Sequence, residues 1–427
     1  MFETGSRAMR SAALAEPKPT AREVAANLSV GIVLHDNKNN LGEGWAFLPG
    51  REAWRVRGLL DLPNDAMWVS SGDWGDFRKM GQAQLHHVRR TGYLGLRLDE
   101  LATDFGIRID GQHARTGGQQ LVTYVQNAVR VAVEAYGLDD PLRNLQDDTL
   151  VVTLSKVLPI APQAKELLLQ KLASAYQSWS SQYQPFRDNT VRVRLRFNRM
   201  PYAEWLLSNL VPDSGWSHAM SDVGFDHEAV MAGTFPPSLI QGVVEFDGVP
   251  AEVANLIAFG VGATSKRAKR GWMTDVEYRW ISRFARVHVQ SYLVSVTRMP
   301  LPSGCQLPEL LAGDRLVKAL PGAGIVSYVH WQALVAPKYS RLTQSSENDV
   351  FGTWLRAHDR AVCFEAALEM QKLGFPVSGY GNGSVIVMVD RNRLKELEQL
   401  AIGMDFTMPR WNAIMQEFGY ASPDHSY

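Results

Sequence analysis

Three arginines, Arg192, Arg194 and Arg196, alternate with Val191, Val193, Leu195 and Phe197 in the stretch VRVRLRFN. A period of two puts the guanidiniums on one face of a strand and the apolar side chains on the other. Such a row either pairs with acids or solvent, or offers an edge to phosphates, whose oxygens match the guanidinium fork. A second basic cluster, Lys266, Arg267, Lys269 and Arg270 in SKRAKRG, is expected on a loop, where it is either solvated or a further phosphate contact. The third candidate is GFPVSGYGNGSVIVMVD, residues 374–390. It has the form of a strand, a tight turn and a second, apolar strand, because Asn382 and Gly383 tolerate the positive φ that hairpin turns require. A Gly-rich tip can cradle phosphate through its N–H groups, but phosphate loops lead into a helix and here a strand follows.

Other chemistry is excluded or thin. The only cysteines are Cys305 and Cys363, so there is no disulfide framework and a reducing compartment is expected. No C-x-x-C, H-x-x-x-H or H-E-x-x-H spacing occurs, and the adjacent His86 and His87 are poorly placed to share a metal. No Ser, Cys or His stands in a nucleophile context such as G-x-S-x-G. No metal site and no cofactor are expected from these residues.

Lys plus Arg equals Asp plus Glu at 44 each, so no global field draws in nucleic acid or an acidic membrane, and any such contact must be local. With 45% apolar and 21% charged residues, the composition is that of a globular protein, and 427 residues suffice for two or three domains. The N-terminus has no continuous apolar core of a signal peptide, and no run approaches the roughly eighteen apolar residues of a membrane span. A cytoplasmic protein without a membrane partner is the expectation.

The elements that must position these groups fall into four stretches. Residues 1–24 form a loose tail. Residues 25–117 are mixed α/β, with strands at LSVGIVLHD and AMWVSSGDW, a helix at DFRKMGQAQLHHVRRTGY, and four tryptophans (Trp45, Trp54, Trp68 and Trp74) that serve as core or as a base-stacking platform. Residues 118–190 are helical, with apolar residues at helical spacing on both sides of Pro159 and Pro162. From Val191 onward strands and helices mix. PYAEWLLSNL, AEVANLIAFGVG, RAVCFEAALEMQKLGF and a long stretch, DVEYRWISRFARVHVQSYLVSV, are expected to be helices.

The C-terminal part, 191–427, resembles the palm and fingers of family A DNA polymerases. FNRMPYAEWLLSNLVPD is similar to the first palm motif, with Asn198 where that family has a metal-binding Asp, Ala203 for its Glu and Trp205 for its Arg. GFDHEAVMAGTF resembles the D-I-H segment, with His227 in register. AEVANLIAFGVG resembles the fingers helix: Asn255, Phe259 and Gly260 fit, but Gly248 and Glu252 stand at its Arg and Lys positions. AALEMQKLGFPVSGYGNGSVIVMVD is similar to the catalytic hairpin, with Asn382, Gly383 and Ser384 at its His-Asp-Glu tip. The landmarks lie 61 residues (198 to 259) and 124 residues (259 to 383) apart, close to the family's spacing. A register with Asp247 and Glu252 on the first motif and His330-Trp331 on the second leaves only 84 residues between Asp247 and Trp331, too few for fingers.

The resemblance implies an α+β fold. It has an antiparallel palm-like sheet, helical fingers and thumb-like elements (the thumb in 118–190), and an N-terminal mixed α/β region. It also implies a DNA-replication protein, of phage or mobile-element type, whose catalytic positions Asn198, Asn382, Gly383, Ser384, Glu252 and Phe259 are degenerate. Two Mg²⁺ ions need hard oxygen ligands from paired carboxylates. Asn198 is neutral, Gly383 has no side chain, and Glu252 has the wrong sign to neutralise phosphate. A catalytically inactive protein that binds primer-template or single-stranded DNA, or a replication partner, is therefore expected. Two alternatives stand beside it: a divergent active DNA-directed DNA polymerase, which alone would use Mg²⁺, and an interaction subunit that binds no DNA.

Overall fold

The computed structural model describes residues 20–37, 40–72, 87–89, 92–94, 97–138, 149–158, 168, 171–172, 175, 180–181, 189–213, 215–219, 221–257, 267–311, 322–336, 338–340, 345–347, 349–409, 411 and 414–415. A short helix, α1 (Ala21–Asn27), opens with a capping box between Thr20 and Glu23. The expected first strand follows as β1 (Val30–Asn37), paired antiparallel with β2 (Asn40–Phe47). β3 (Trp54–Val56) extends the sheet beyond β2, and β4 (Met67–Ser70) lies parallel to β1. β5 (Val88–Arg89) closes the order β3-β2-β1-β4-β5. Alternation along β1 decides the layers. Val30, Ile32 and Leu34 enter the large core, while Val33 enters a smaller one around the buried Trp68. The helix expected over 76–93 falls mostly outside the described residues, and its end, Val88–Arg89, is strand rather than helix.

α2 (Leu98–Asp104) leads to the long α3 (Ala114–Tyr136), which packs on β1. Its buried Leu121, Val125, Ala128, Val129 and Ala132 recur at helical spacing, and Gly137 ends it in the left-handed region at φ 62°. α4 (Leu150–Val157) is capped by Thr149, and beyond it only scattered residues of the second expected helix are described.

The central sheet has the order β18 (Phe406–Thr407), β7, β17 (Ser384–Asp390), β16 (Val377–Gly381) and β6. Here β6 is Ser180–Ser181 and β7 is Thr190–Phe197. Val193 and Leu195 of β7 are fully buried in the second core, the alternation read from sequence. α5 (Arg199–Leu207) follows β7 without a gap beyond Asn198.

A four-stranded antiparallel sheet, in the order β11 (Arg267–Thr274), β10 (Ser238–Glu245), β12 (Arg286–Val294) and β9 (Ser217–Ala219), stands in the stretch where the fingers were expected. β8 (Val211–Pro212), β9 (Ser217–Ala219) and α6 (His227–Ala232) precede its long strand, β10 (Ser238–Glu245). The apolar helix is present as α7 (Ala251–Ile257). The basic stretch begins β11 (Arg267–Thr274) rather than a loop, with Arg270 opposite Val243 and Arg267 opposite Glu245. The long helix expected from Asp275 stops after two turns as α8 (Asp275–Ile281), and Arg286–Val294 is strand β12. The reason is local: RVHV alternates β-branched with polar residues, and pairing with β10 rewards the extended form.

After β13 (Arg298–Met299), the almost wholly buried α9 (Ala323–Val335) crosses α5, and β14 (Lys338–Ser340) pairs with β15 (Ser345–Glu347). α10 (Val350–Lys372) then runs into the hairpin of β16 (Val377–Gly381) and β17 (Ser384–Asp390). α11 (Leu394–Gly403) and β18 (Phe406–Thr407) return the chain to β7. The fold is α+β.

Candidate functional site

β7 and β17 pair in full register from Thr190↔Asp390 to Arg196↔Ser384. The last bond of this ladder runs from the Phe197 N–H to the Gly383 carbonyl at 2.9 Å. Asn198, the next residue, stands at the N-cap position of α5 beside the hairpin tip, makes no side-chain cap hydrogen bond and is exposed. The structure thus brings Asn198 together with Asn382, Gly383 and Ser384. The tip is a two-residue turn with positive φ at both Asn382 (52°) and Gly383 (64°), the geometry that favours Asn-Gly. A Cβ on Gly383 would lie 2.9 Å from Tyr202 Cε1, so the tip packs tightly on α5.

The carboxylate that governs this tip was not identified from sequence. Asp359 of α10 is fully buried. Its Oδ1 accepts from the Gly383 N–H at 2.7 Å and the Tyr202 hydroxyl at 2.7 Å, and its Oδ2 accepts from the Asn382 N–H at 2.8 Å. Cys363, one turn further along α10, lies 3.7 Å from the same Oδ1. Burial, reinforced by the Asp359 charge, pushes both the Tyr202 phenol and the Cys363 thiol well above their ordinary pKa values. Asp359 follows the buried Leu355 by one turn and precedes the buried Cys363 by another, so an acid on the apolar stripe of a helix was the available signal.

These residues do not fit a pair of Mg²⁺ ions. Asn198 offers a neutral amide and Gly383 nothing, and the Asp359 oxygens are taken by three strong donors. Among the described residues no group of three or more His, Cys, Asp or Glu could hold a metal. Of the other degenerate positions, Ser384 is buried and donates to the Gly381 carbonyl, Glu252 is exposed on α7, and Phe259 lies outside the described residues.

The arginine row divides. Arg192 and Arg194 are exposed on the face of β7 opposite the Val193–Leu195 core face. Arg196 corrects the expectation of a free phosphate contact: its side chain is 3% exposed and ion-paired with α2. It meets Glu100 at 3.1 Å and also contacts Asp104, while Arg199 meets the same two acids at 2.9 and 3.4 Å. Burial raises Asp104 to about 6; Arg199 opposes the rise and Glu100 adds to it. The cause is long-range. Two acids one helical turn apart on α2 reach over the end of β7 and close it. Arg267, Lys269 and Arg270 lie along β11, on a strand and not the expected loop, and Lys266 lies outside the described residues. No described helix is long and apolar enough to cross a membrane.

No protein-family model matches the chain, and no curated protein matches it. Among solved structures it is similar to phi29 DNA polymerase in three settings. With primer-template DNA and incoming nucleotide the TM-score is 0.40 at 10% identity; with primer-template DNA alone it is 0.43 at 10%. With single-stranded DNA it is again 0.43 at 10%, and each match covers 84% of this chain and 80% of that one. Likeness at these values is too slight to bear on activity, and the family A resemblance rests on the sequence motifs alone.

Proposed function

We propose that this chain is a DNA-polymerase-like protein, related to family A, that binds primer-template DNA and transfers no nucleotides. One observation supports the reading: Phe197, the residue before Asn198, is bonded to Gly383, which brings together the two positions where the resemblance calls for carboxylates, and the nearby acid, Asp359, is buried and accepts from three donors. A cytoplasmic setting, no cofactor, and a replication protein as further partner belong to the same proposal. DNA affinity then comes from local charges, Arg192 and Arg194 first, since the chain has no net charge. A primer-extension assay with Mg²⁺ or Mn²⁺, run beside anisotropy titrations on primer-template DNA, tests both halves. Binding without extension supports the reading. Robust extension that disappears in Asp247→Ala or Asp226→Ala would show a living enzyme with acids elsewhere.

A second reading has its own support. Arg196 is closed off by Glu100 and Asp104, which leaves fewer basic groups at the sheet end and favours an interaction subunit that binds protein and not DNA. Absence of DNA binding at low salt selects it.

A further inference from the structure

Behind the hairpin tip, where α5, α9 and α10 meet, lie buried donor atoms with no hydrogen-bond acceptor, although Arg199 itself is also ion-paired with Glu100 and Asp104. Arg356 of α10 is 6% exposed, and no carboxylate among the described residues pairs with it; its guanidinium lies 5.3 Å from the centre of the Trp331 ring. Its Nε and Nη1 are buried and make no hydrogen bond. Arg199 of α5, also 6% exposed, lies 5.0 Å from the Tyr328 ring, and its Nε and Nη1 likewise make none, although Nη1 is 3.4 Å from Asp104. Trp331, fully buried on α9, has a free indole Nε1–H. The Tyr328 and Trp331 rings are 5.2 Å apart, so the two guanidiniums flank one aromatic pair. The Tyr328 hydroxyl senses the same grouping: burial raises it, Arg199 pulls it back, Asp359 raises it further, and Arg356 and Arg194 lower it.

Buried donors without partners are costly, more so when charged, and such groups point to an ion or ordered water that meets them. Five nitrogens on two guanidiniums and one indole are all donors. An acceptor-rich anion can meet several such donors at once, where one water accepts at most two, and a tetrahedral oxyanion matches the planar fork of arginine. We propose that this cluster binds a phosphate-class oxyanion, held by Arg199, Arg356 and the Trp331 indole N–H. The ligand is inorganic phosphate or the terminal phosphate of a small phosphoester. Oxyanion binding here does not depend on DNA binding at the exposed arginines of β7, although Arg194 acts on the same Tyr328 hydroxyl.

The test is titration of the full chain with inorganic phosphate at constant ionic strength, followed by calorimetry and thermal unfolding. Parallel arms use sulfate, chloride and a nucleoside triphosphate. Phosphate is expected to raise the unfolding temperature beyond matched chloride. Arg356→Met, which replaces an unpaired buried charge with an apolar chain, is expected to weaken phosphate binding at least about tenfold. Trp331→Phe keeps the ring, removes the N–H and is expected to weaken it several-fold; it decides the matter if Arg356→Met fails to fold. Tighter binding of the triphosphate than of phosphate assigns a nucleotide source, and the reverse assigns the free ion. Equal shifts with phosphate and chloride, or an unchanged phosphate affinity in both variants, overturn the proposal and leave water as the occupant.

Discussion

The carboxylate of Asp359 and the main-chain N–H of Gly383 meet at 2.7 Å, joining the middle of α10 to the tip of the hairpin that the same helix feeds. A hairpin turn normally leaves its N–H groups to water or to its own strands. Here both central N–H groups end on one buried acid, together with the Tyr202 hydroxyl from α5. Helix, hairpin and the strand-helix junction after Asn198 are therefore one hydrogen-bonded unit, and its stability depends on a single side chain.

Asp359→Ala leaves two backbone donors and a phenol unpaired in a dry site, so a loss on the order of 3–5 kcal/mol is expected. Asp359→Asn keeps one acceptor oxygen and is expected to lose roughly half as much. Urea unfolding of the two variants beside wild type measures this. Equal stability of all three would show that the tip finds its partners elsewhere.

Gly383→Ala combines a positive φ of 64° with a Cβ 2.9 Å from the Tyr202 ring. About 1–3 kcal/mol of destabilisation is expected. At Asn382 only the φ of 52° matters, and Asn382→Gly keeps the backbone bond to Asp359, so it is expected to be nearly neutral. A comparison of their thermal midpoints checks the contrast. If both are neutral, Asp359 and Tyr202 do not hold the turn.

Much of this arrangement was legible in the chain, and the rest was hidden for identifiable reasons. The alternation of VRVRLRFN and the Asn-Gly turn are local signals, and both elements form where they were expected. The stretch from Asp275 to Val294 contains no Gly or Pro to mark the switch from α8 to β12; the short alternation of RVHV is the one local sign of it, and pairing with β10 decides it. The fate of Arg196 was equally out of reach, because its partners Glu100 and Asp104 lie 96 and 92 residues away. Asp359 sits 24 residues before Gly383, and one acid on a helix is ordinary until the hairpin folds back on it.

Two groups give the pH dependence of stability opposite signs in one window. Asp104, facing Arg196, Arg199 and Glu100, is raised from 3.8 to about 6. The folded state then holds the extra proton, and stability falls as pH rises from about 4 to about 6. His358 is lowered from 6.5 to about 4, by burial first and then by Arg279 and Arg298. There the unfolded state holds the extra proton, and stability falls as pH drops from about 6.5 to about 4. Asp104→Asn removes the first component, so its stability should fall more steeply on acidification than that of wild type; His358→Gln should flatten the curve. Denaturant midpoints between about pH 4 and 7 measure both slopes, and parallel curves for the three proteins would refute the assignment.

The exposed and closed arginines of β7 make separable predictions for DNA. Arg192 and Arg194 are exposed on the strand. Replacing each with Ala should weaken binding to primer-template DNA irrespective of sequence, and should lower the slope of log affinity against log salt by about one for each phosphate no longer neutralised. Arg196 is held by Glu100 and Asp104, so Arg196→Met should leave that slope unchanged and reduce folding stability instead, because two acids are deprived of a buried partner. Salt-series anisotropy on the three variants, with urea unfolding alongside, separates the effects. A slope that falls with Arg196→Met but not with Arg192→Ala or Arg194→Ala would mean that α2 lifts away when DNA binds and that the closed end of the sheet is the true interface.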